Sequence, residues 1–275
     1  MDYQEESREY IASKLGPDYY LKDPPLLIEY DTARAQRKAK NEGLFRRLNK
    51  LYEPVPEVTC GQCGNVCCSA SPDFYMLEYL NAWRFIRYEL KDEALEAEIV
   101  ARSVRWAFQT FFREDVRCPF LFDGKCVIYG ARPFNCRVWA LEDDAYYEKK
   151  AARAAANALK QEEFFERNGL RPLKPLAEFI LPKCREIVVH GDGALTEKFI
   201  ADIDNEVALL HRALLRPEQF RAMNFLVHFP GHIIMKQTDP LKYDETKVAV
   251  AKEFQDEGTE NYLNAIISFF EGKLP

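Results

Sequence analysis

The sequence predicts a mainly α-helical protein: a helical bundle with cysteine-rich loops and at most a small β-hairpin. Three observations predict it. Apolar residues recur three and four apart over several long stretches, the period of a helix with one buried face. Strand-like runs are short and scattered. Seven of the eight cysteines fall between Cys60 and Cys136, in two clusters on either side of a long helical stretch.

The first 31 residues carry little pattern. Residues 1–15 have a weak helical side in Tyr10, Ile11 and Leu15, ended by Gly16-Pro17. Asp23-Pro24-Pro25 marks a turn before the short apolar run Leu26-Leu27-Ile28. Residues 32–52 predict one basic helix, with cations at Arg34, Arg37, Lys38, Lys40, Arg46, Arg47 and Lys50. Leu44, Leu48 and Leu51 form its docking face. Its cations make either a solvated surface or, between residues 34 and 50, a docking patch for an acidic protein partner or RNA.

Ser71-Pro72-Asp73 predicts a helix start: serine at the cap, proline in the first position and an acid in the first turn. The helical period then runs to about Arg113, with a break near Lys91-Asp92-Glu93. Leu77, Leu80 and Trp83 line the first half, and Val100, Val104, Phe108 and Phe111 the second. Asp123-Gly124, between Phe120-Leu-Phe122 and Val127-Ile-Tyr129, predicts the hairpin. Residues 142–167 have high helix propensity and stop at Asn168-Gly169. Cys184 and the β-branched run Ile187-Val188-Val189 follow, and then the loop Gly191-Asp-Gly193. Further helices are expected at 195–215, 217–227 and 244–271. Three regions follow from this pattern: an N-terminal helical arm (1–56), a cysteine core (57–140) and a C-terminal helical region packed on it (141–275).

Composition narrows the functional classes. The 275 residues are 47% hydrophobic and 30% charged, enough to bury a core without disulfides. A net charge of −6 argues against nucleic acid as the default partner. Residues 1–15 lack the apolar stretch of a signal peptide. The most apolar run, Phe225 to Met235, is too short for a membrane span and contains His228, Pro230, Gly231 and His232. The expected location is the cytoplasm, with no membrane partner. In that reducing compartment clustered cysteines bind metal or do redox chemistry.

Cys60 and Cys63 are two residues apart, with Gly61 and Gly64 beside them to allow a tight turn. Thiolates in such a turn bind zinc or iron–sulfur clusters. Adjacent Cys67 and Cys68 are hard to fit on one zinc ion, which favours a larger cluster or two metals. Otherwise one of them is a small buried hydrophobe. Cys118, Cys126 and Cys136 form the second cluster, and the long helical excursion between the two must fold back to bring them together. Arg132 and Arg137 flank Cys136 and can offset thiolate charge. Cys184 stands apart; as an eighth thiol it would allow two four-thiolate sites, or it is simply buried. His228 and His232 are four apart, but Pro230-Gly231 is expected to break the helix that would align them.

The cluster Cys60-x2-Cys63-x3-Cys67-Cys68, followed by Cys126-Val-Ile-Tyr-Gly-Ala-Arg132-Pro-Phe-Asn-Cys136-Arg137, resembles the YkgJ-type CxxCxxCC cysteine cluster family. That family is described as zinc- or iron-chelating. The resemblance covers about residues 60–137. It implies that Cys60, Cys63, Cys67, Cys68, Cys126 and Cys136 are the ligand set, with Cys118 in Cys-Pro-Phe-Leu a further position that members keep. This chain departs from the pattern in having three residues, Gly64-Asn65-Val66, before the paired cysteines. The family includes bacterial flagellin lysine methylases, described as carrying an iron–sulfur cluster and using S-adenosylmethionine. Nothing outside the cysteine region of this chain carries that activity over. The expectation is therefore an iron–sulfur cluster, of the 4Fe-4S kind, in a bacterial redox or group-transfer protein. The alternatives are a zinc-stabilised scaffold and a metal-handling maturation factor.

Overall fold

The computed structural model of the chain describes residues 32–59, 66–69, 72–139, 141–184, 187–190, 195–214, 227–235 and 240–271. The readings made for residues 1–31, residues 217–226 of the helix expected at 217–227 and the Gly191-Asp-Gly193 loop lie outside these segments. Within them the protein is mainly α-helical.

The basic stretch forms two helices, α1 (Thr32–Asn41) and α2 (Leu44–Leu51). Gly43 between them has φ 64°, a left-handed conformation that ends α1 and that a side chain would strain. Ala35 and Ala39 of α1 and Leu44 and Leu48 of α2 are buried at helical spacing.

The chain then runs through β1 (Glu57–Thr59) and a 3-10 turn at Val66–Ser69 to β2 (Asp73–Phe74). Helix α3 (Met76–Phe85) therefore starts later than Ser71-Pro72 predicts. Its start is set by Glu78, whose carboxylate reaches back to accept the Tyr75 amide at 2.9 Å, as a capping acid does from the third helical position. Residues 76–83 are buried all round, which makes α3 the central helix of the core. It ends in a π turn, Ile86–Leu90, where Lys91 takes φ 55°. Asp92 then caps α4 (Glu93–Gln109) by accepting the Leu95 amide at 3.0 Å.

The hairpin forms at the expected turn, but its second strand is Lys125–Cys126 rather than Val127-Ile-Tyr129. β3 (Leu121–Phe122) and β4 (Lys125–Cys126) pair antiparallel around Asp123 (φ 46°) and Gly124 (φ 72°), both left-handed as a tight two-residue turn requires. A short α5 (Phe134–Val138) follows, then the 24-residue α6 (Asp144–Arg167), which stops at Gly169 (φ 69°).

β5 (Val188–His190) pairs antiparallel with β1, matching Glu57 to His190, Val58 to Val189 and Thr59 to Val188. After α7 (Glu197–Arg212), β6 (Val227–His228) pairs with β2, Asp73 to His228 and Phe74 to Val227. The described residues thus add two short ladders to the expected hairpin. Val227 belongs to a strand rather than to the end of a helix.

Helix α8 (Phe229–Met235) contains the Pro230-Gly231 pair that was expected to break it. Proline is accommodated because it sits in the first turn, where its amide needs no helical partner. The stretch expected as one helix at 244–271 divides into α9 (Pro240–Glu257) and α10 (Asn261–Glu271) at Gly258 (φ 68°). Helices α8, α9 and α10 all pack on α4.

One large hydrophobic cluster runs from Ala35 to Phe270. Its centre is aromatic. The Phe229 ring lies 4.5 Å from Phe120, 5.0 Å from Tyr79, 5.3 Å from Phe74 and 5.4 Å from Trp83. Burying such rings is worth about 2 kcal/mol each. Phe120, two residues after Cys118, fixes the second cysteine cluster to this core. A smaller cluster around Phe165 joins α6 to Phe112, Leu170, Leu176 and Ala251.

Candidate metal centre

Cys68 and Cys118, one cysteine from each cluster, meet across the fold. The Cys118 amide donates to the Cys68 carbonyl at 3.0 Å. Three further hydrogen bonds join their flanks. The Tyr129 hydroxyl donates to the Val58 carbonyl at 2.7 Å. The Asn135 side-chain amide donates to the Asp73 carbonyl at 3.2 Å. The Phe134 amide donates to the Glu78 carboxylate at 2.6 Å. The helical excursion α3–α4 folds back on itself, so residues fifty or more apart in the chain become neighbours.

Cys60 and Cys63 lie outside the described residues, and only the backbone of Cys67 is described, in the 3-10 turn. Cys68 is half-buried and packs on the main core. Cys118 is buried in that core, and its carbonyl accepts the Leu121 amide to start the hairpin. Cys126 lies on β4 opposite Leu121, half-buried, while the next amide, Val127, bonds the Phe120 carbonyl. Cys136 lies on α5, two residues after the anchored Phe134. Cys68, Cys118, Cys126, Cys136 and Cys184 carry thiols, with no disulfide among them. No group of three or more metal-binding side chains assembles among the described residues alone.

Arg132 and Arg137 brace the loop between Cys126 and Cys136. Arg137 donates to the Arg132 carbonyl at 2.9 Å and the Gly130 carbonyl at 2.8 Å, and its guanidinium lies over the Tyr52 ring at 4.7 Å. Arg132 donates to the Tyr129 carbonyl at 3.1 Å and covers that residue's ring at 3.5 Å. Burial lowers the Arg137 pKa, while the charges of Tyr52, Glu78 and Cys136 act the other way.

Glu78 is the hub beneath the site, a residue that the sequence reading missed. It is buried and accepts three hydrogen bonds: the Tyr52 hydroxyl at 2.5 Å, the Tyr75 amide and the Phe134 amide. Burial raises its pKa, and the three donors only partly offset this. A glutamate three residues into a helix was the available signal, hidden because the helix start was placed at Ser71.

His228 and His232 are engaged with the backbone. His228 Nδ1 accepts the Gly231 amide at 2.8 Å and so caps α8, and His232 Nε2 lies 2.7 Å from the Phe74 carbonyl.

Residues 59–158 match the CxxCxxCC family, described as "Putative zinc- or iron-chelating domain". The match begins at the last residue of β1 and ends within α6. No curated protein and no solved structure matches the chain. No described helix is long and apolar enough to cross a membrane.

Proposed function

We propose that this protein holds an iron–sulfur cluster of the 4Fe-4S kind in a redox or group-transfer role. Its ligands are drawn from Cys60, Cys63, Cys67, Cys68, Cys118, Cys126 and Cys136. The observation that carries the reading is the Cys118–Cys68 backbone bond, which joins one cysteine of each cluster. The described donors suit such a group in kind: Cys68, Cys118, Cys126 and Cys136 carry thiols, with Arg132 and Arg137 beside Cys136 to balance thiolate charge. When bound, the cluster would supply one-electron chemistry or a Lewis-acidic iron. The chain's own part is to hold Cys118 in the core beside the Cys68 backbone and to brace the Cys126–Cys136 segment through Arg132 and Arg137. A patch of exposed cations on α1 and α2 offers a surface for an acidic protein partner.

Anaerobic purification followed by iron, zinc and acid-labile sulfide analysis tests this. Brown protein with broad visible absorption that bleaches on reduction is expected. Colourless protein with stoichiometric zinc would contradict the iron–sulfur reading and leave a zinc-fixed scaffold. Labile, substoichiometric metal would contradict it in favour of a metal-handling factor.

A further inference from the structure

Helix α9 buries a lysine. Lys247 is 7% exposed, and its ammonium sits 5.2 Å from the centroid of the Phe111 ring and 5.3 Å from that of Phe165. Phe111 follows α4 directly, and Phe165 lies near the end of α6. An ammonium carries three donors and no acceptor. Among the described residues Lys247 has neither a hydrogen-bond acceptor nor an ion-pair partner. Asp244, three residues earlier on the same helix, acts on it only at a distance, partly opposing the burial that lowers its pKa to about 8. Aromatic faces attract a cation but do not replace the strong acceptors it loses on leaving water. A buried charge is ordinarily paired and hydrogen-bonded.

Two further donors beside it lack acceptors. His228, on β6, accepts the Gly231 amide on Nδ1 at 2.8 Å, so its neutral ring carries the proton on Nε2. Burial first, and then the nearby Lys247 charge, keep that ring neutral. The Nε2–H finds no acceptor among the described residues. The Trp106 ring of α4 lies edge-on to His228, with centroids 4.8 Å apart. Its indole Nε1–H is buried and has no hydrogen-bond partner.

Buried donors are nearly always satisfied. Here α4, β6 and α9 each bring one that is not, and one of the three carries a positive charge. Water could supply acceptors but not the countercharge. A carboxylate supplies both: two oxygens with about four lone-pair sites, and a single negative charge to match a single cation. A phosphate dianion would exceed the one charge present. The Phe111 and Phe165 rings leave an apolar wall next to the charged end.

We infer that Lys247, His228 and Trp106 form a binding site for the carboxylate of a small organic acid whose apolar part lies against Phe111 and Phe165. The site shares no residue with the cysteine centre and does not depend on which metal that centre holds.

The experiment titrates the purified full chain at pH 7 and constant ionic strength with sodium benzoate, sodium acetate and sodium phosphate, by calorimetry and by thermal midpoint. Wild type is expected to bind benzoate saturably, to bind acetate more weakly for want of a ring, and to rise in midpoint with benzoate concentration. Lys247→Met removes a charged donor and is expected to weaken benzoate by about 10- to 100-fold. Trp106→Phe removes a neutral donor and is expected to weaken it by about 2- to 10-fold. Absence of saturable carboxylate binding to wild type overturns the inference, as does tighter binding of phosphate than of either carboxylate. Wild-type benzoate affinity in Lys247→Met also overturns it. Should Lys247→Met fail to fold, Trp106→Phe decides, and an unchanged affinity in that variant overturns the inference.

Discussion

The Glu78 carboxylate accepts the Phe134 amide at 2.6 Å, tying the first helix after one cysteine cluster to the first helical residue of the other. It also accepts the Tyr52 hydroxyl and the Tyr75 amide, so three segments depend on one buried acid. Glu78→Ala would leave all three donors without an acceptor in the core and is expected to cost about 3–5 kcal/mol. Glu78→Gln keeps the shape but turns a donor toward donors and should cost about 1–3 kcal/mol. Urea unfolding at pH 7 measures both. Equal stability of Glu78→Ala and wild type would show that the hub contributes nothing.

The charge on Glu78 has its own consequence. Its pKa is raised by burial, so the folded state holds the proton more tightly than the unfolded state. The stability this contributes is fully present below the unfolded pKa and is lost as pH rises through the raised value. The wild-type minus Glu78→Gln stability difference is expected to be larger in mild acid than at pH 8. A difference that grows with pH would contradict this sign.

Most helices were legible in the sequence because their apolar period and their stop residues agree. Lys91-Asp92 and Asn168-Gly169 ended helices where expected, and Asp123-Gly124 made the hairpin. The misplaced boundaries have physical causes. Ser71-Pro72-Asp73 has every residue a helix start wants, but Asp73 and Phe74 are taken by pairing with β6, a partner over 150 residues away. Gly43 and Gly258 each split one expected helix in two, because a left-handed glycine leaves the periodicity on either side intact. The approach of Cys118 to Cys68 was legible only as a requirement. The contacts that achieve it run through Glu78, Tyr129 and Asn135, which carry no cysteine-like signature.

Burial holds His211, His228 and His232 in the neutral form, with pKa values lowered to about 3, about 3 and about 4. A depressed histidine contributes stability above its unfolded pKa of 6.5, and this is lost as pH falls toward the folded value. The ring signals of these three residues are therefore expected not to titrate between pH 7.5 and pH 5 in a histidine-resolved NMR titration. Over the part of that range below pH 6.5 they should contribute to a falling urea midpoint. Titration of any of them near pH 6.5 in the folded protein would contradict its burial as neutral imidazole.

Lys247 is buried between the Phe111 and Phe165 rings, 5.2 and 5.3 Å from their centroids, and burial lowers its pKa to about 8. Its folded pKa lies below its unfolded one, so its charged form costs stability at neutral pH, a cost relieved as pH rises from 8 toward 10. Lys247→Met is expected to stabilise the protein at pH 7 by on the order of 2 kcal/mol, the desolvation cost less the lost cation–ring attraction. Thermal unfolding at pH 7 checks it; a clear drop in midpoint would mean that the cation–ring attraction outweighs desolvation.

The most direct test of a single centre shared by the two clusters is metal per chain in Cys63→Ser, Cys136→Ser and the double variant, each purified anaerobically beside wild type. One shared centre predicts that either substitution alone removes most of the metal and that the double variant loses little more. Two separate sites would instead give partial losses that add in the double variant, and that result would contradict the account.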